Sequence, residues 1–97
     1  VSVKNKEQVP SNYSLRQNYP NPFNPATTIE FSIPESGFTS LKIYDILGNE
    51  VAVLVEEDLP AGRYKYEFNG EGFSSGMYVY KLISGSAVLS KKMMLLK

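Results

Sequence analysis

Tyr19-Pro-Asn-Pro-Phe-Asn-Pro-Ala-Thr-Thr-Ile-Glu-Phe-Ser-Ile33 is where the chain changes character. Pro20, Pro22 and Pro25 fall within six residues. Each proline fixes its own φ, lacks an N–H and pushes the preceding residue away from helix. Asn21 and Asn24 have short polar side chains suited to local Asx-turns. With Phe23 among them, these residues predict a stiff, extended, turn-rich segment that opens a folded module. Ile29, Phe31 and Ile33 then alternate with Thr28, Glu30 and Ser32. That is the period of a half-buried strand, ending at Pro34.

The same period recurs to the end of the chain. After a turn over Pro34–Gly37, Phe38–Ile46 sets Leu41 and Ile43 on one face and Ser40 and Lys42 on the other. Gly48-Asn49 predicts a two-residue hairpin loop, since both residues tolerate positive φ. Val51–Val55 is a continuous apolar run, compatible with a strand buried on both faces. Glu50–Leu59 is also the one window that admits a turn of helix. Leu59-Pro-Ala-Gly62 turns the chain again. Tyr64, Tyr66 and Phe68 then alternate with Arg63, Lys65 and Glu67. A loop with Gly70, Gly72 and Gly76 leads to Met77–Ser84, with Tyr78, Tyr80 and Leu82 on one face. Gly85-Ser86 predicts a second tight hairpin, and Ala87–Leu96 a last strand. Tyr13–Asn18 is compatible with a short edge strand. Six or seven short strands at spacings of roughly 8–12 residues imply an all-β sandwich of antiparallel strands.

Ninety-seven residues make one domain. A chain this short buries roughly 60–70% of its unfolded surface, enough for one modest core. Ten basic and ten acidic residues cancel, which argues against nucleic acid as a partner and against a polybasic membrane anchor. There is no cysteine, so disulfides and thiolate metal sites are excluded. There is no histidine, the commonest general base and metal ligand. No apolar run approaches the roughly 20 residues of a transmembrane helix. Residue 1 is valine and no signal peptide is visible. The chain therefore reads as a piece of a larger protein, with residues 1–12 a linker from an upstream domain and residues 13–97 the folded unit.

Little here supports catalysis. A Ser–Lys pair at Ser90 and Lys91 fails because adjacent strand residues point to opposite faces. Glu56-Glu57-Asp58 has oxygens that suit calcium, but no EF-hand spacing surrounds it and it reads as a solvated turn. The glycines Gly70, Gly72 and Gly76 lack the G-x-x-x-x-G-K-[ST] pattern of a phosphate loop and serve turns. Twelve residues are aromatic, seven of them tyrosine. Tyr64, Tyr66, Tyr78 and Tyr80 are expected to line the core with their hydroxyls at its rim, in preference to a sugar-stacking stripe. No cofactor is expected. Lys91-Lys-Met-Met-Leu-Leu-Lys97 remains, and two readings stand side by side: lysines that guard an edge strand from wrong pairing, or a tag that a partner reads.

Five blocks in order carry a resemblance. They are Asn18-Tyr-Pro-Asn-Pro-Phe-Asn-Pro-Ala-Thr-Thr-Ile-Glu-Phe31, Leu41-Lys-Ile-Tyr-Asp-Ile-Leu-Gly-Asn-Glu-Val51, Ala61-Gly-Arg-Tyr64, Ser74-Ser-Gly-Met-Tyr-Val-Tyr-Lys-Leu82 and Ser90-Lys-Lys-Met-Met-Leu-Leu-Lys97. Together they closely resemble the type A C-terminal sorting domain of the type IX (Por) secretion system of Bacteroidetes and related bacteria. The likeness spans about Tyr13 to Lys97. Phe68-Asn69-Gly70 departs from it, since many relatives carry tryptophan and aspartate before that glycine.

The resemblance implies an Ig-like sandwich with no catalytic role, attached to a larger secreted cargo. It implies transit through the periplasm, passage of the cargo across the outer membrane, and removal of the domain by a sortase-like cysteine peptidase. The cut is expected within residues 1–12, and the cargo then lies at the cell surface or outside it. Lys91, Lys92, Met93, Met94, Leu95, Leu96 and Lys97 are the residues it implies for recognition by the translocation machinery. Pro20, Asn21, Pro22, Phe23, Asn24, Pro25, Gly48, Gly62, Tyr64, Gly76 and Tyr78 carry its structural motifs. The isolated domain is expected as a monomer or an edge-strand dimer. The alternative is a retained accessory module that binds glycan or another domain of the same secreted protein.

Overall fold

The structure is a computed structural model that describes residues 9–97. Residues 1–8 of the expected linker lie outside the described residues. Seven strands follow one another: β1 (Ser14–Leu15), β2 (Ala26–Ile33), β3 (Gly37–Asp45), β4 (Glu50–Leu59), β5 (Gly62–Asn69), β6 (Gly76–Ser84) and β7 (Ala87–Leu95). No helix occurs among the described residues. One sheet has the order β1-β2-β5 and the other β4-β3-β6-β7. All strand pairs are antiparallel. This is the Ig-like arrangement: β1, β2 and β5 stand as A, B and E, and β4, β3, β6 and β7 as C′, C, F and G.

The alternation read from the sequence sets the core. Ile29, Phe31 and Ile33 of β2 face Leu41 and Ile43 of β3, Tyr80 and Leu82 of β6, and Met93 and Leu95 of β7, all buried. Burying each such side chain contributes about 1.5–3 kcal/mol. Phe31 is stacked between Tyr64 and Tyr66, at centroid distances of 5.3 and 5.9 Å. Buried Thr39 and Ser84 satisfy each other through a 2.8 Å hydroxyl bond.

β4 departs from the expected form. It is one ten-residue strand with no helical turn, and it lies at the edge of its sheet. Its pairing with β3 skips Leu54 and again Val51, so two bulges interrupt the ladder. Each extra residue resets the alternation. Val51, Ala52 and Leu54 are therefore half-buried and Val53 is exposed. A continuous apolar run here records two bulges rather than burial on both faces.

The turns also have their own chemistry. Gly85-Ser86 is the expected two-residue loop, with Ser84 opposite Ala87 and Gly85 at φ 59°. The β3–β4 loop is longer than predicted, running from Ile46 to Asn49. Gly48 takes φ 91° and donates its N–H to the Asp45 carbonyl at 3.0 Å. The Asp45 carboxylate accepts the N–H groups of Leu47 and Asn49, each at 2.9 Å. These bonds favour the charged form and hold Asp45 below the ordinary 3.8, the Asn49 N–H contributing most. A depressed carboxyl stabilises the fold fully above pH 3.8 and loses that contribution as pH falls through its lower folded value. We expect the Leu47 and Asn49 amide resonances to titrate together with a midpoint below 3.8 in an NMR pH series; a midpoint at or above it sinks this account of the turn.

Two tyrosines brace the remaining corners. The Tyr64 hydroxyl donates to the carbonyl of Pro60, and the Tyr78 hydroxyl to that of Ser74 at 2.7 Å. Both reach back four residues. Tyr78 begins strand F at the E–F corner, the position of the tyrosine corner in Ig sandwiches. Its ring meets Phe73 at 6.1 Å. Gly62 pairs with Ile33 beneath the Tyr64 ring, and Gly76 opens β6 at φ 148° opposite Leu95.

Candidate functional site at the clasped last strand

β7 is an edge strand on paper, since only β6 pairs with it over its full length. Its second half is not bare. The Phe23 N–H donates to the Met94 carbonyl at 2.9 Å, and the Phe23 carbonyl accepts the Leu96 N–H at 3.0 Å, a parallel bridge between Phe23 and Leu95. The Asn21 carboxamide oxygen accepts the Met94 N–H at 3.0 Å. Gln17 donates to the Lys92 carbonyl at 2.8 Å, and the Lys97 N–H donates to the Ser75 hydroxyl at 3.0 Å. The proline-rich segment and the lysine-rich end, far apart in sequence, are thus one site.

The geometry explains why Asn21 and Phe23 stand where they do. Proline lacks the N–H that a ladder needs, so only a residue between prolines can pair. Phe23, between Pro22 and Pro25, does. Asn21 does not close the local Asx-turn expected of it. Its side chain reaches the backbone 73 residues on. Asn24 is exposed. All three X–Pro bonds, at Pro20, Pro22 and Pro25, are cis. The Pro20 carbonyl accepts from Thr27 and from buried Asn18, and the Pro25 carbonyl accepts the Gly70 N–H at 2.7 Å.

The Phe23 ring closes this clasp from inside. It is 2% exposed and meets Phe68 edge-on, centroids 5.9 Å apart. Gly70 lets it approach. A Cβ there would lie 3.0 Å from Leu95 Cδ2 and 3.2 Å from Phe23 Cε2. Gly70 does open a turn, its carbonyl accepting the Phe73 N–H at 2.9 Å, and it also leaves the space that Phe23 and Leu95 fill. Gly70→Ala forces Phe23 and Leu95 apart, at a cost of about 1–3 kcal/mol. We expect faster amide exchange at Met94 and Leu96 in that variant; unchanged exchange together with unchanged melting sinks the assignment.

The seven residues expected to be read by the machinery fall into two sets. Met93 and Leu95 are buried in the core, and Met94 is half-buried. Lys91, Lys92, Leu96 and Lys97 are exposed. The aromatic stripe is likewise committed inward. Tyr78 and Tyr80 are buried, and Tyr64 and Tyr66 flank Phe31. Tyr80 corrects the expectation of hydroxyls at the rim. Its hydroxyl accepts the Asn18 N–H at 2.8 Å and donates to the Arg16 carbonyl at 2.7 Å, tying β6 to the strap that leads into the clasp. The roles of Gln17, Asn18, Gly70, Ser75 and the Tyr80 hydroxyl carried no local sequence signal, because each partner lies far along the chain.

Among the described residues, no three His, Cys, Asp or Glu side chains converge as metal ligands. Glu56 instead pairs with Lys42 at 3.3 Å, and Glu50 with the same ammonium at 3.4 Å. The two carboxylates, Glu56 foremost, raise the lysine above its ordinary value.

The fold and its clasp define an Ig-like module whose distinguishing part is a docked last strand. The family model described as the secretion system C-terminal sorting domain matches residues 17–96. The chain belongs to that family, the sorting domains of type IX secretion. The matched span begins at the first residue of the clasp and ends at its last bonded residue but one. No curated protein matches the chain. Domains of this family are attached to a cargo protein and serve its export across the outer membrane, toward the cell surface or the extracellular space.

Proposed function

We propose that this chain carries an upstream cargo through the periplasm to the type IX machinery, and that a sortase-like cysteine peptidase then removes it. The observation that carries the reading is the last strand. Its core-facing Met93 and Leu95 and its clasped backbone hold Lys91, Lys92, Leu96 and Lys97 outward in fixed places. A rigid display of exposed cations beside an apolar side chain suits recognition of the folded domain. Pro10 is already buried, and the Asn12 carbonyl accepts a bond from Ser32 at 3.2 Å. A peptidase that takes an extended substrate therefore acts before Pro10.

The test is a reporter fused ahead of residues 1–97 in a type IX-competent host. The fusion is expected outside the cell, and a version lacking Leu95–Lys97 is expected to stay in the periplasm. Mass spectrometry of the released reporter is expected to place the cut before Pro10. A full-length fusion held in the periplasm, or a truncated one exported as well, overturns the reading. An exported reporter that keeps the domain favours a retained accessory module.

A further inference from the structure

The clasp covers only part of β7. Ala87 pairs with Ser84 across the two-residue loop, so Ala87, Leu89, Lys91, Met93 and Leu95 turn their N–H and C=O groups toward β6. Val88, Ser90, Lys92, Met94 and Leu96 turn theirs the other way. The clasp bonds confirm the parity, since they reach both groups of Met94, the Leu96 N–H and the Lys92 carbonyl. Among the described residues nothing bonds the outward groups of Val88 or Ser90, or the outward Lys92 N–H. The side chains there are exposed too: Val88 by 60%, with Ser90, Lys91 and Lys92. Val88 lies opposite Ile83, itself 38% exposed. β1 passes close to β7 without bonding its backbone, and an edge with unbonded groups of this kind is a template for another strand.

Charge says which strand. Residues 76–97 hold Lys81, Lys91, Lys92 and Lys97 and no Asp or Glu; all ten acidic residues precede Gly76. A neutral chain thus carries a basic β6–β7 hairpin. A second copy is a poor occupant. β7 against β7 sets lysines against lysines, which is destabilising across strands. At the β4 edge two bulges interrupt the pairing before Val55, and Glu50 and Glu56 are already paired with Lys42, so a second copy offers only the short Glu57–Asp58 stretch.

We propose that the Val88–Lys92 edge of β7 accepts an extended acidic strand from a protein of the export machinery, by β-augmentation. This rests on the sorting reading above. The visiting backbone bonds the outward groups of Val88 and Ser90, and its carboxylates meet Lys91 and Lys92. Met93 and Leu95 stay in the core and the clasp stays shut.

Ser90→Pro tests it. The substitution removes one outward N–H and no β6 bond, and an edge strand tolerates proline where its N–H faces solvent. Lys91→Glu/Lys92→Glu reverses the charge and remains decisive should the proline variant unfold. In the reporter fusion, export of each is expected to fall about tenfold, the scale of one or two lost bonds. Lys91→Arg/Lys92→Arg is expected to export normally. Carbodiimide treatment of exporting cells is expected to join Lys91 or Lys92 to a carboxylate of a machinery protein, and not to do so in the charge-reversed fusion. Normal export of folded Ser90→Pro and of the charge-reversed pair overturns the proposal. If the Leu95–Lys97 deletion still blocks export in that case, the sorting reading stands and the edge proposal alone falls. If the intact fusion is not exported at all, the sorting reading itself falls. Concentration-dependent self-association abolished by Ser90→Pro also overturns it, by making a second copy the occupant.

Discussion

Phe23→Ala is expected to destabilise the domain by about 3–5 kcal/mol, the usual cost of emptying a buried phenylalanine site. In a domain of this size that is a fall in Tm of roughly 15–30 °C. The ring is 2% exposed and rests edge-on against Phe68. Gly70, beside it, has no side chain that could collapse into the space. The backbone of residue 23 also holds Met94 and Leu96, so hydrogen exchange at those two amides is expected to accelerate beyond the global change. Gly70→Ala is expected to cost less in the Phe23→Ala background than alone, because the added methyl then has room. A Tm drop under about 5 °C, with Met94 and Leu96 still protected, means the clasp does not depend on this ring.

Tyr80→Phe is expected to cost more than a surface hydroxyl does. The ring is fully buried and its oxygen serves the Asn18 N–H and the Arg16 carbonyl. Removing it orphans the buried Asn18 N–H, at about 1–3 kcal/mol, and the part-buried Arg16 carbonyl at less. Tyr80 stands two residues after the corner Tyr78, where Ig domains place the second cysteine of their inter-sheet disulfide. Here a phenol makes the tie between β6 and the strap beside the opposite sheet. Burial raises its pKa above the ordinary 10.0. That contribution is whole below pH 10.0 and is lost as pH rises through the higher folded value. As pH rises from 10.0 through the higher folded value, the wild-type chain is therefore expected to lose stability more steeply than Tyr80→Phe. Thermal melts across an alkaline series read both effects. Equal Tm at neutral pH removes the tie from the account.

What could be read in advance follows from the range of the interaction. Strands with strict alternation, Thr28–Ile33 and Arg63–Phe68, were legible because each residue's face depends only on its neighbour. Gly85-Ser86 was legible for the same local reason. Val51–Val55 misled because a bulge lies in the pairing with β3 and leaves no mark on composition. Asp45 was not foreseen as the centre of its loop, since its bonds need the chain to have turned already. The blocks around Phe23 and Met94 were each recognisable, but their contact is a property of the closed sandwich. That the Lys91–Lys97 stretch divides into buried and exposed residues follows from period two. That its outer backbone edge is partly taken does not.

The clasp also bears on the order of events during synthesis. Phe23 finds its backbone partners only at Met94 and Leu96, and its ring partners at Phe68 and beside Gly70. A growing chain that has not yet produced residue 96 therefore cannot close it, however well its earlier strands have paired. Closure reports that the polypeptide has been made through to Leu96. A chain that stops short of residue 96 offers neither the docked β7 nor a settled Phe23, so the shape of this face depends on synthesis having passed that residue.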